Sequence, residues 1–141
     1  MFRVIQGKTK SMKLPVAASG GAIAQGALVA FSSGTLIAAT STTAPSDIVG
    51  ILKGAIATTD ADYATARLVS VIVPVEKNIV VEADVTSGLV AADVGLYQDL
   101  TDSVTVNRAA STYDVVQCVR VISTTKGHFL LNIGVDARAK A

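Results

Sequence analysis

The chain has 141 residues, half of them apolar and 16% charged, with a formal net charge of +1. That length supports one domain with a sizeable core, the composition excludes disorder, and the near-neutral charge excludes a global field for nucleic acid or anionic lipid. The apolar residues are mainly Val, Ile, Leu and Ala, with no Trp, and such small and β-branched side chains suit pleated sheets.

Arg3, Lys8, Lys10 and Lys13 all precede the first acid, Asp47. A run of this kind reads either as a solvated terminus or as an arm that lies on a polar or acidic partner. Residues 1–13 are expected as a basic arm, with Phe2-Arg3-Val4-Ile5 alternating and Gly7 as a pivot, ahead of one β-rich domain over 14–141. The stretch Leu14–Phe31 follows a basic start as a signal peptide would. Pro15, Ser19, Gly20, Gly21, Gln25 and Gly26 interrupt every apolar window in it, so no h-region forms. No stretch approaches the roughly 20 apolar residues of a membrane span, and the chain reads as soluble and unprocessed.

Strands are expected along the rest of the chain. Ala27–Phe31 and Leu36–Ala39 flank Ser32-Ser33-Gly34, a three-residue hairpin connection. Thr59–Arg67 is the one helical candidate, short, with Thr59 as its N-cap. Leu68–Val75 follows, an edge strand or one bent at Pro74, which cannot donate to a ladder. Ile79–Glu82, Val94–Tyr97, Val104–Val106 and Val115–Ile122 are apolar or alternating runs bounded by turn residues. His128–Ile133 alternates, with Phe129, Leu131 and Ile133 on one face. The fold class is all-β, a small barrel or sandwich of short antiparallel strands with at most one short helix.

A gap-free offset of 67 residues aligns much of the two halves, about 19–53 with 86–120. Gly21 falls on Gly88, Val29 on Leu96, Ile37 on Val104, Asp47 on Asp114, Ile48 on Val115 and Val49 on Val116. The expectation is two similar β-lobes sharing one core.

The chemistry of an enzyme is not assembled. One histidine, His128, and one cysteine, Cys118, cannot supply a zinc site of three or four N/S ligands. Cys118 sits in an apolar run as a buried small hydrophobe. The acid pairs Asp60/Asp62, Glu82/Asp84 and Asp99/Asp102 lie at loop-like ends, where solvated carboxylates are usual. Glu82 and Asp84 share a face if Ala83 is in a strand. No cofactor or metal is expected. Tyr63, Tyr97 and Tyr113 lie far apart in sequence, so no stacking platform beside basic residues is visible.

Ala24-Gln25-Gly26-Ala27-Leu28-Val29, then Gly34-Thr35-Leu36-Ile37-Ala38-Ala39, then Asp47-Ile48-Val49-Gly50-Ile51 resembles tailed-phage capsid decoration (head cement) proteins. Ala92–Tyr97 and Asp114–Val116 read as a divergent echo, and the resemblance spans Leu14–Gly134 in pattern. It implies a β-tulip or β-clip-like subunit that binds the outer surface of an icosahedral shell and stabilises its expanded form. It also implies a virion location after synthesis in the host cytoplasm. The implied partners are the major capsid protein and copies of the chain itself, as a trimer or a dimer, with neither nucleic acid nor membrane. Phe2, Arg3, Ile5, Lys8, Lys10 and Lys13 of the arm are the expected capsid contacts. The alternative is a β-sandwich recognition module of a phage tail or cell surface that binds protein or carbohydrate.

Overall fold

The computed structural model describes residues 1–86 and 88–133; Ser87 and the stretch 134–141, including Gly134 of the resemblance, lie outside the described residues. Two small closed barrels of five strands each make up an all-β fold. In the first, β2 (Thr9–Val16), β3 (Leu28–Ser32), β4 (Thr35–Ala38), β5 (Ile48–Leu52) and β6 (Arg67–Pro74) close in the order β2-β4-β3-β5-β6. In the second, β7 (Val80–Val85), β8 (Tyr97–Asp102), β9 (Thr105–Asn107), β10 (Val116–Ser123) and β11 (Lys126–Leu131) close in the order β7-β9-β8-β10-β11. A further strand, β1 (Arg3–Gln6), pairs antiparallel with the outside edge of β7.

The two rings have the same topology. Every pairing is antiparallel except the closing one, Val16 with Leu36 in the first barrel and Val85 with Val106 in the second. The repeat expected from sequence is therefore a duplicated barrel. Its register departs from the offset of 67: Val29, paired with Gly50 on β5, corresponds to Gln98, paired with Val116 on β10, and not to Leu96, and the closing pairs align Leu36 with Val106, so Ile37 does not fall on Val104. On β5 and β10 these pairings set Val116 where Gly50 stands, and Val49 lies inside the first barrel beside the register shift between Val29 and Ala30.

Two apolar clusters replace the single shared core. One fills the first barrel with Leu14, Val16, Ala27, Val29, Leu36, Val49, Leu52, Val71 and Val73. The other fills the second barrel with Val81, Ala83, Val85, Leu100, Val106, Val116, Cys118, Phe129 and Leu131, and continues onto Leu28, Ala30, Ile48 and Ile51 of the first. Alternate residues of β3 and β5 thus face different clusters. This is why Ile48–Leu52 reads as an unbroken apolar run and is buried at every position. A side chain at Gly50 would collide with the carbonyl of Ile72, so only glycine lets β5 and β6 close there.

Three local expectations change. The β3–β4 hairpin has a two-residue loop, because Ser32 pairs with Thr35. Ser33 and Gly34 both take positive φ, +50° and +84°, the pattern of a type I′ turn that matches strand twist. Thr59–Arg67 is a series of turns running into the first residue of β6 instead of a helix. The Asp60 carboxylate takes the Ala57 N–H at 3.0 Å and the Arg67 guanidinium at 2.9 Å, while Asp62 also pairs with Arg67. Side chains that capture backbone and neighbouring donors outcompete a helix of under ten residues. β6 pairs with both β2 and β5 and so is no edge strand, and Pro74 ends it opposite Thr9.

Candidate interaction surfaces

The expected arm is built into the body of the protein. Phe2 is 1% exposed and belongs to the second barrel's cluster, and its N–H donates to the Gly26 carbonyl at 2.9 Å. Residues 3–6 form β1 and residues 9–16 form β2, which pairs with β6 over its whole length. Residues 1–13 are therefore part of the paired body and not an arm ahead of it. The sequence signal failed because burial of Phe2 depends on Gly26 and β7, both distant in the chain.

The six arm residues part company. Phe2 cannot reach a partner. Arg3 binds Glu82 at 3.0 Å, and Ile5 stays exposed on the same strand. Lys8, Lys10 and Lys13 are exposed, the Lys8 N–H donating to Glu76 at 2.9 Å. On β2 the side-chain period of two puts Lys10 and Lys13 on opposite faces, so no single basic patch forms.

Glu82 gathers a charge network on the outer face of β1, β7 and β11. It accepts from Arg3, lies 3.2 Å from His128 Nε2, and has Lys126 at 3.9 Å. The Arg3 hydrogen bond, then the His128 contact, hold its carboxyl below the usual glutamate value. Ala83 is buried in the strand, and Glu82 and Asp84 share the outer face as expected.

Two acids are buried, contrary to the solvated role expected for Asp99. Both Asp99 oxygens accept backbone N–H groups, from Thr112 at 2.9 Å, Tyr113 at 2.7 Å and Asp114 at 2.8 Å. Asp93, which sequence inspection did not single out, takes Arg108 Nε at 2.8 Å and the Val90 N–H at 2.8 Å. The Arg108 bond, then the Val90 bond, lower its carboxyl pKa. These partners lie three to fifteen residues away, so no local motif announces them. Together the acids fix the segment 108–114 on the second barrel.

That segment walls an open groove of about 360 Å³, lined by Leu96, Tyr97, Arg108, Ala109, Ser111 and Asp114 among others. Asp114 sits at φ +54°, and its Oδ1 is buried with no donor among the described residues. The fold thus puts Tyr97 and the basic residue Arg108 on one groove, which spacing in the sequence concealed.

Exposed apolar side chains are concentrated nearby. Val94, Leu96 and Tyr97 are about half exposed, and β10 adds Val119 and Ile122. The two stretches are adjacent, because Cys118 bonds both the Gly95 N–H and the Leu96 carbonyl through its backbone. Among the described residues no group of three or more His, Cys, Asp or Glu is placed to hold a metal ion, and no helix is long and apolar enough to cross a membrane. Comparison with known proteins found no matching family model, no curated relative and no similar solved structure.

Proposed function

We propose that the chain is a structural virion subunit that binds the outer surface of an icosahedral phage capsid and stabilises the expanded shell, without catalysis. The observation that carries this reading is the exposure of Val94, Leu96, Val119 and Ile122 on β10 and on the segment hydrogen-bonded to it. Large apolar side chains left exposed on neighbouring segments of a protein this small point to contact with another protein. Two closed barrels joined through one apolar cluster make a body with little to rearrange, as a clamp on a shell requires. The resemblance of Ala24–Val29, Gly34–Ala39 and Asp47–Ile51 to decoration proteins supplies the identity of the shell. Its partners are then the major capsid protein and copies of itself, as a trimer or a dimer. Contacts repeated over a symmetric shell stabilise it by mass action. Heating expanded capsids with and without the purified chain tests the reading: rupture at a higher temperature is expected with it, and an unchanged rupture temperature at saturating chain counts against it.

A second reading, a recognition module that binds carbohydrate or protein, draws on the Tyr97–Arg108–Asp114 groove. A groove that Tyr97, Arg108 and Asp114 line together offers a hydroxylated ring an aromatic side chain and two charged groups.

A further inference from the structure

We propose that the edge of β2 at Ser11–Lys13 accepts a strand from a partner protein, with an acidic residue of that strand set against Lys13. The precedent lies within the chain. In the second barrel, the parallel closure of β7 with β9 involves only Asp84 and Val85, and the part of the edge before it is covered by β1, which pairs with Val80, Val81 and Glu82. In the first barrel the closure of β2 with β4 is a single pair, Val16 with Leu36. Aligned on the closing pairs, Val16 corresponds to Val85 and Lys13 to Glu82. No described strand takes the place of β1 there, so the edge of Ser11–Lys13 is unpaired among the described residues.

Glu82 receives its strand with an ion pair to Arg3. Lys13, its counterpart, is exposed and makes no ion pair among the described residues. The charge is reversed, so the matching strand carries an acid where β1 carries Arg3. The β1–β7 pairing is antiparallel. In the same direction, the residue two before the acid comes opposite Pro15, on the same face as Lys13. At that position lies an apolar pocket of about 260 Å³, lined by Pro15, Ala17, Thr35 and Leu68 among others, with Leu68 60% exposed. The partner strand is thus apolar, then any residue, then acidic, running antiparallel to β2.

Lys and Pro at an edge also discourage indiscriminate strand addition. Here they set the terms of a specific one: Pro15 offers no N–H and ends the ladder, and Lys13 rejects a basic strand. Main-chain hydrogen bonds supply the affinity and the two side-chain positions the selectivity. The inference stands apart from the capsid reading; where that reading holds, the capsid subunit supplies the strand.

The test uses the full chain and a capped hexapeptide with leucine first, glutamate third and valine fourth and sixth. Hydrogen exchange of the Ser11 and Lys13 backbone amides, which face away from β6, is followed with and without peptide. Slowing at these amides is expected. Binding weakened roughly fivefold by Lys13→Glu is also expected, with recovery when the peptide glutamate becomes lysine. Indifference to this charge exchange, or no slowing at millimolar peptide, overturns the proposal. So does full protection of these amides in the free chain, which assigns the edge to the protein's own residues.

Discussion

Gln98 occupies in the second barrel the position that Val29 holds in the first. Each is the inward residue paired with the strand that carries Val116 or Val49, and each is fully buried. Val29 packs against apolar neighbours, whereas neither the Gln98 oxygen nor its amide nitrogen finds a hydrogen-bond partner among the described residues. A buried amide without partners costs more than the apolar side chain that could replace it. Gln98→Leu, close in volume, is expected to raise stability by about 1–2 kcal/mol in urea unfolding. A loss of stability would mean that the amide is satisfied in solution.

Asp99→Ala is expected to cost about 2–4 kcal/mol, since three backbone N–H groups lose a charged acceptor at once. Hydrogen exchange should accelerate at Thr112, Tyr113 and Asp114 before the rest of the barrel. Uniform acceleration would show that the segment does not open by itself.

Phe2→Ala is expected to destabilise the fold by about 3–5 kcal/mol, the usual cost of removing a buried phenylalanine. Removing residues 1–13 takes away β1 and most of β2, so circular dichroism should report unfolding. A well-folded truncated chain would restore the view of this segment as an arm.

Much of the architecture is legible in the residues themselves. Alternation in His128–Ile133 places Phe129, Leu131 and Ile133 inside, as they are, and the offset of 67 finds the duplication. It misplaces β8 by two residues because a slip of two leaves every side chain on its own face, so hydrophobic pattern cannot detect it. Residues 9–16 carry Lys10, Lys13 and Pro15, which hide a strand. The buried roles of Asp93 and Asp99 were out of reach, since partners of a carboxylate are set by the fold and not by its neighbours in sequence.

Stability should fall in acid. The carboxyls of Glu82 and Asp93 titrate below their ordinary values in the folded chain. Their contribution is therefore present above the unfolded-state pKa and lost as pH falls through the folded values, a window below about pH 4. Urea midpoints should drop between pH 6 and pH 3, and Asp93→Asn should shrink that drop. Equal midpoints at the two pH values would contradict the assignment.

For the groove, neutral sugars are the probe. If the recognition reading holds, titration with methyl hexosides shifts the amide resonances of residues 96, 97 and 108–114, and Tyr97→Ala or Asp114→Asn abolishes the shifts. Asparagine tolerates the left-handed backbone at position 114, so that variant should fold. Shifts that persist in both variants would exclude the groove.

Co-sedimentation of the purified chain with expanded and with unexpanded capsids tests the structural-subunit assignment most directly. The account predicts saturable, stoichiometric binding to expanded shells alone, weakened when the exposed Leu96 and Val119 are changed to Ser. A chain that stays in the supernatant with both kinds of shell, or that binds both alike, would contradict it.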